Sequence, residues 1–356
     1  MAQSKTEPTE TTLMEEVPNV TELMDSEPYY TAEGGAAYHG DSRELLEQLP
    51  EESIDLVVTS PPFALNRKKD YGNKDAEDYN DWFMDFAERV KPVLKPHGSF
   101  VVDIGGGWQK GEPYRSTYHF ELLTQLAGSD GPFELAQDFY WYNPAKLPTP
   151  AQWVTIERIR VTDAVNHVWW FSKGGEKYTE SDNTRVLQEY SDSQKKLMEE
   201  GYNDKKRPSG HDISDKFDEP ENGNGSIPPN LIEAANTASN THYLQAFREL
   251  EELGIDIDPH PARFPRDIPE FFIKFLTPDP PYNDEEKPIV LDIFAGSNLT
   301  GKIAQQLGRN WLAFERQEQY IETSQFRFME MSAIKQMVND EQTDFGDFAS
   351  VEPSDD

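Results

Sequence analysis

Apolar and polar positions along this chain predict short buried strands separated by amphipathic helices. Ile54 to Val58 is an apolar run of strand length, and such runs read as parallel strands covered on both faces. It stops at Thr59-Ser60, and Pro61-Pro62 cannot continue a central ladder. Upstream, Ala36 to Asp41 predicts a short strand, and Arg43 to Leu49 a brief helix capped by Asp41 or Ser42. Downstream, Tyr79 to Leu94 has helical spacing at Trp82, Phe83, Phe86, Val90 and Leu94 and closes at Pro96 and Gly98. Ser99 to Ile104 is the next strand, ended by the tight turn Gly105-Gly106-Gly107. Tyr118 to Ala127 reads as a helix, with Ala136 to Trp141 and Asn166 to Ser172 as strands. Phe271 to Leu276 is the centre of a short helix, and Ile289 to Phe294 is the clearest strand in the chain. A helix from Thr300 to Leu307 follows, then a strand from Trp311 to Phe314 that runs into Glu315. Strands alternating with helices, without hairpin signals, predict an α/β layered sheet.

The remaining stretches are polar. Residues 1 to 30 are rich in Glu and Thr and predict a mobile acidic arm, and an acidic tail is expected at the other end. Between Gly174 and Pro259 the chain is rich in Asn, Ser, Gly and Pro, and loops of that length are functional or disordered. His211 within it reads as a hydrogen-bonded surface residue ahead of a catalytic base.

Composition narrows the class. A hydrophobic fraction of 36% supports a sizeable core, and the absence of cysteine excludes disulfides, thiolate zinc sites and cysteine nucleophiles. No metal is called for. There is no run of membrane-span length and no signal peptide, so a soluble cytoplasmic protein is expected. The 66 acidic and 33 basic residues give a formal net charge of −33. Such a polyanion either avoids nucleic acid or works in concentrated salt, where a screening length of about 3 Å removes diffuse repulsion. The second reading is preferred, because arms, loops and elements are all acidic. DNA binding then relies on local basic clusters, and Arg67-Lys68-Lys69 and Lys205-Lys206-Arg207 are the candidates.

Two strand ends carry candidate chemistry. After Thr59, the Ser60 hydroxyl, the Pro61 and Pro62 carbonyls and the Phe63 ring would stand where open α/β sheets bind ligands. Oxygens accept the hydrogens of an exocyclic amine while a ring stacks on a flat base; alternatively Phe63 is tucked into the core. After the strand ending at Asp292, Gly296-Ser297 lets backbone approach a ligand, and Glu315 can accept both hydroxyls of a ribose. The turn is not G-x-G-x-x-G, and an acid at Asp292 repels pyrophosphate but attracts an ammonium or sulfonium. That favours S-adenosylmethionine over a dinucleotide.

Asp292-Ile293-Phe294-Ala295-Gly296-Ser297 together with Thr59-Ser60-Pro61-Pro62-Phe63 resembles the paired signature of the DNA amino-methyltransferases. The catalytic motif comes first, as in the circularly permuted β group. Further pieces resemble the N4-cytosine enzymes of the PvuII modification type: Arg67-Lys68-Lys69, Trp169 to Lys173, Arg207 to Ile213, Ser226 to Asn230 and His260 to Pro265. The resemblance implies a Rossmann-like methyltransferase sheet with a smaller target-recognition region. The chain then reads as a catalytic half (31–173), a recognition region (174–259) and a cofactor half (260–335), with the acidic arm (1–30) and tail (336–356) outside the resemblance. It implies transfer of a methyl group from S-adenosylmethionine to the N4 amine of cytosine in duplex DNA, beside a cognate restriction endonuclease. Ser60 and Pro61 would then accept from the target amine, with Pro62 shaping the turn and Phe63 stacking. Asp41 would meet the adenine amine, Phe264 and Pro265 the methionine end, and Asp292 its ammonium. Phe294, Gly296, Ser297, Asn298 and Thr300 would shape the pocket, and Glu315 would hold the ribose. Similarity to solitary enzymes of salt-loving archaea suggests a short palindrome such as CTAG. Adenine-N6 transfer on the same fold, and a non-catalytic nucleic-acid-binding regulator, stay open as alternatives.

Overall fold

The computed structural model describes residues 20–64, 76–175, 179–200, 225–237, 241–255, 257–261, 265–280 and 287–340. Among the described residues nine strands form a single sheet: β1 (Tyr30–Ala32), β2 (Gly35–His39), β3 (Ile54–Thr59), β4 (Leu94–Ile104), β5 (Glu134–Tyr142), β6 (Val165–Ser172), β7 (Leu231–Glu233), β8 (Ile289–Asp292) and β9 (Asn310–Glu315). Their spatial order is β1-β2-β9-β8-β3-β4-β6-β5-β7. The five strands from β2 to β4 in that order run parallel. β6 lies antiparallel to both β4 and β5. The β1–β2 hairpin at the far edge turns through Glu33-Gly34, a connection the sequence pattern did not predict.

Helices cover both faces: α1 (Ser42–Leu46), α2 (Ala76–Val93), α3 (Tyr118–Ala127), α4 (Asp192–Glu200), α5 (His242–Glu252), α6 (Asp267–Leu276), α7 (Leu299–Gln306), α8 (Glu318–Ser324) and α9 (Met331–Asp340). Strand β3 is buried at every position, so its alternate residues serve opposite layers. Val57 packs with Phe83, Val90 and Phe100 beneath α2, whereas Leu56 and Val58 pack with Phe272 of α6 and Ile303 of α7. This is why the run lacks polar alternation, as expected of a strand with two covered faces.

The strand connections define the functional edge. From β3 the chain passes through α2 to β4 on one side, and from β8 through α7 to β9 on the other. Neighbouring β3 and β8 therefore diverge, leaving a crevice at their carboxyl ends, the topological switch point where such sheets bind ligands.

Three expectations shift. Residues 20 to 30 pack against the body instead of belonging to an arm, with Val20 and Met24 buried. The polar region after Gly174 contributes β7 to the main sheet. It also contributes α5, whose Tyr243, Ala246, Phe247 and Leu250 form a cluster with Phe326 and Ile334 of α9. The acidic tail begins later than residue 336, because α9 continues to Asp340. Among the described residues no helix is long and apolar enough to cross a membrane. Trp311 of β9 is fully buried, stacks on Phe328 with ring centroids 4.8 Å apart, and lies so close over Gly35 that a Cβ there would come within 2.2 Å of it. Trp311→Ala is expected to cost about 3–5 kcal/mol through the cavity it leaves, read as a lowered urea midpoint.

Candidate active site

The two sequence motifs meet at a buried carboxylate. Asp292 is 2% exposed, and a charge there must be matched by donors. Thr59 Oγ1 donates to its Oδ1 and Thr300 Oγ1 to its Oδ2, each at 2.7 Å, and the Phe294 amide donates at 3.1 Å. Burial pushes this carboxyl above its ordinary range, partly opposed by the two hydroxyls. The end of β3 is thus tied to the end of β8 and the first turn of α7. Asp292 is not among the residues lining the cleft, since its oxygens are turned to the two threonines.

The cleft has a volume of about 670 Å³. Ser60, Pro61, Pro62 and Phe63 form one wall, with Asp41, Phe294, Gly296, Ser297 and Glu315 around the rest. Asp41 caps α1 by accepting from the Arg43 amide at 3.0 Å, and the Arg43 guanidinium holds its carboxyl below the usual range. Trp82 and Phe86 of α2 reach the cleft, with the Phe86 ring centroid 4.9 Å from that of Phe294. Glu315 ends β9. Its Oε2 accepts from the Gly296 amide at 2.7 Å and its Oε1 from the Gln317 amide at 2.8 Å, while burial raises its pKa. Each oxygen keeps a further acceptor position. Gly296 takes φ +51°, a left-handed turn that favours glycine.

Several predicted residues stand elsewhere. Asn298 is 1% exposed, adopts φ 50°, caps α7 by accepting from Gly301 at 3.1 Å and donates to Tyr30 at 2.8 Å. Thr300 serves Asp292. Both shape the cofactor turn from beneath, since a short polar side chain at a helix start satisfies backbone before any ligand. Pro265 is buried at the start of α6 rather than on the wall, and His260 and Pro261 of the same segment line the cleft instead. Phe264, Arg67, Lys68, Lys69, Lys205, Lys206, Arg207 and His211 lie outside the described residues.

The sequence reading missed Asp103. It stands one residue before the end of β4 at 1% exposure, accepts from Ser60 Oγ at 3.0 Å and from Asn166 Nδ2 at 3.2 Å, and faces the cleft. Burial raises its pKa to about 6. An acid within an apolar strand just before a glycine turn was the available signal. The turn has its own role: a Cβ on Gly105 would come within 2.6 Å of the Phe63 ring, so the ring rests on bare backbone. Tyr118 holds the turn by donating to the Gly105 carbonyl. Phe63 is consequently half-buried, one face supported and part of it on the wall.

A mixed α/β sheet with acids at both sides of its switch point and an aromatic wall suits an enzyme that binds a nucleoside-bearing cofactor. More particularly, the chain belongs to the DNA methylase family, whose model matches residues 54–326. It is 50% identical over 316 residues to the type II methyltransferase M.PvuII of Proteus hauseri, covering 88% of this chain and 89% of the relative. It is 24% identical to M.ScaI of Streptomyces caespitosus over 83% of this chain and 81% of that one. The solved structure of PvuII DNA methyltransferase (cytosine-N4-specific) superposes with a TM-score of 0.68 at 44% identity, covering 89% of this chain and 95% of the other.

Gly105→Ala is expected to displace the Phe63 ring and slow methyl transfer about 10²-fold, the scale of a misplaced reactant. Calorimetry should find S-adenosylmethionine affinity unchanged, because Gly105 lies on the far side of the cleft from Glu315.

Proposed function

We propose that the chain methylates the N4 amine of cytosine at specific sites in duplex DNA, with S-adenosylmethionine as donor. The single observation that carries this reading is the Thr59–Asp292 bond, which sets the Ser60 motif and the Gly296 turn on one cleft. The donor set fits that cofactor: carboxylates Asp41 and Glu315 suit an amine and ribose hydroxyls, whereas they would repel a dinucleotide's phosphates. Trp82, Phe86 and Phe294 offer apolar surface for a purine. When bound, the cofactor supplies an electrophilic methyl group.

The chain's own residues prepare the acceptor. A cytosine amine is a poor nucleophile because its lone pair delocalises into the ring. Ser60 Oγ and the Pro61 carbonyl, accepting its two hydrogens, favour a pyramidal nitrogen with a directed lone pair. Asp103, ionised, accepts the Ser60 proton and leaves an oxygen lone pair facing the amine. It is also the group on hand to take the proton that nitrogen loses. The base must leave the stack, and Phe63 offers it a supported ring face.

Ser60→Ala is expected to reduce single-turnover transfer about 10²-fold with cofactor affinity intact; an unchanged rate would remove Ser60 from the mechanism. The Asp103 pKa of about 6 fixes the sign of the pH dependence. Below it the protonated acid can donate to Ser60 Oγ, competing for the lone pair meant for the amine, and can take no further proton, so transfer rises with pH through that value, and Asp103→Asn abolishes the rise along with most of the rate. Modified-base mass analysis of DNA methylated by the protein distinguishes N4-methylcytosine from N6-methyladenine. The acidic surface supports operation in concentrated salt, so transfer should persist toward molar KCl, where screening falls to about 3 Å.

A further inference from the structure

The connection between β5 and β6, residues 143–164, is assigned no role by the reaction above. Both its stems stand at the cleft mouth: Trp141, Lys146 and Asn166 line the cleft. Among the described residues, four of the twelve exposed large apolar side chains sit in this one segment: Leu147 at 75%, Ile156 at 66%, Ile159 at 51% and Val161 at 85%. Clustered aliphatic surface of that kind marks an interaction site.

The segment is held in shape rather than left to collapse onto its own apolar groups. Trp153 O accepts from the Ile159 and Arg160 amides, the Asp163 amide donates to Thr149 O, and Arg160 Nε donates to Pro113 O. Asp163 pairs with Arg115, beside the Gly106 turn. Its charge departs from that of the molecule. Lys146, Arg158 and Arg160 oppose Glu157 and Asp163, giving three positive against two negative charges in a chain of net charge −33. Arg158 is exposed, has a left-handed backbone with φ 57°, and has no carboxylate partner among the described residues.

We propose that this loop is a duplex-DNA contact in which Lys146 and Arg158 meet phosphates while Ile156 and Val161 wedge into the base stack vacated by the target base. The inference rests on the DNA-methylating function proposed above. Charge complementarity and continuity with the substrate cleft favour DNA over a second protein copy. Aliphatic side chains inserted beside a distorted step are a known means of holding a base out of the stack.

The test uses the full chain and a synthetic duplex around a cytosine that the wild-type protein modifies. The same duplex with that cytosine mispaired is the control, since a mispaired base costs less to extrude. Ile156→Ser/Val161→Ser should lower kcat on the paired duplex about 10-fold and recover to near wild type on the mispaired one. Fluorescence of a base analogue at the target position should report less extrusion at saturating protein. Arg158→Glu should instead raise KM on both duplexes and lower the salt slope of binding by about one or more. Equal loss on both duplexes by the serine variant, or kcat within about two-fold of wild type on the paired one, overturns the wedge. So does a wild-type dimer in sedimentation that the serine variant converts to monomer, which would make the face a subunit contact. S-adenosylmethionine affinity separates the two levels: a wild type that binds it but methylates no duplex refutes the proposed function itself, and the wedge with it.

Discussion

A carboxylate that water cannot reach joins the two halves of this chain. Thr59 and Asp292 are separated by 233 positions in sequence, and the bond between them fixes where β3 stops relative to β8. A buried charge with one partner removed is costly, so the arrangement tolerates little slippage. Everything functional is built on top of it. Ser60 follows Thr59 directly, and the Gly296 turn follows Asp292 within four residues. The bridge does no chemistry in the proposed reaction; it sets the relative position of groups that do.

Around that bridge, the two sides of the cleft are made by different means. On the side proposed for the cofactor, Glu315 reaches across to the Gly296 amide, and Asp41 is locked by Arg43, so the carboxylates are oriented before any ligand arrives. On the side proposed for the target base, the Phe63 ring rests on a turn that has no side chain to displace it, and Asp103 accepts from Ser60. Orientation by fixed hydrogen bonds is what electrostatic positioning in a water-poor site requires. The aliphatic loop beside the cleft stands in contrast, since its apolar groups are exposed.

Much of this was legible from residue patterns. The apolar runs located β3, β6, β8 and β9 to within a few residues, and Tyr118–Ala127 appeared with the bounds expected; β4 was placed too short, since it already begins at Leu94 and takes in Pro96 and Gly98, expected to close the helix before it. Helix α5 was missed, because its Asn- and Ser-rich surroundings concealed the ordinary amphipathic spacing of Tyr243, Ala246, Phe247 and Leu250. The hairpin β1–β2 was missed because its strands are short and its turn carries Glu33-Gly34 without a long alternating pattern. The antiparallel placement of β6 was not legible, since a strand buried on both faces has the same composition in either direction.

The sequence by itself determined where two strands give way to turns: proline ended β3, and glycine opened the turn after β8, both through local backbone sterics. It also determined the layered α/β class, because burial on two faces demands continuous apolar runs. Only the tertiary structure decided what each polar group does. Burial pairs Asp292 with Thr59 and Thr300, and Asn298 with Tyr30 and the Gly301 amide; Asp103, hidden in an apolar run, emerged beside Ser60. A carboxylate's role depends on which donors surround it and how much water remains, and those are properties of residues far apart in the chain.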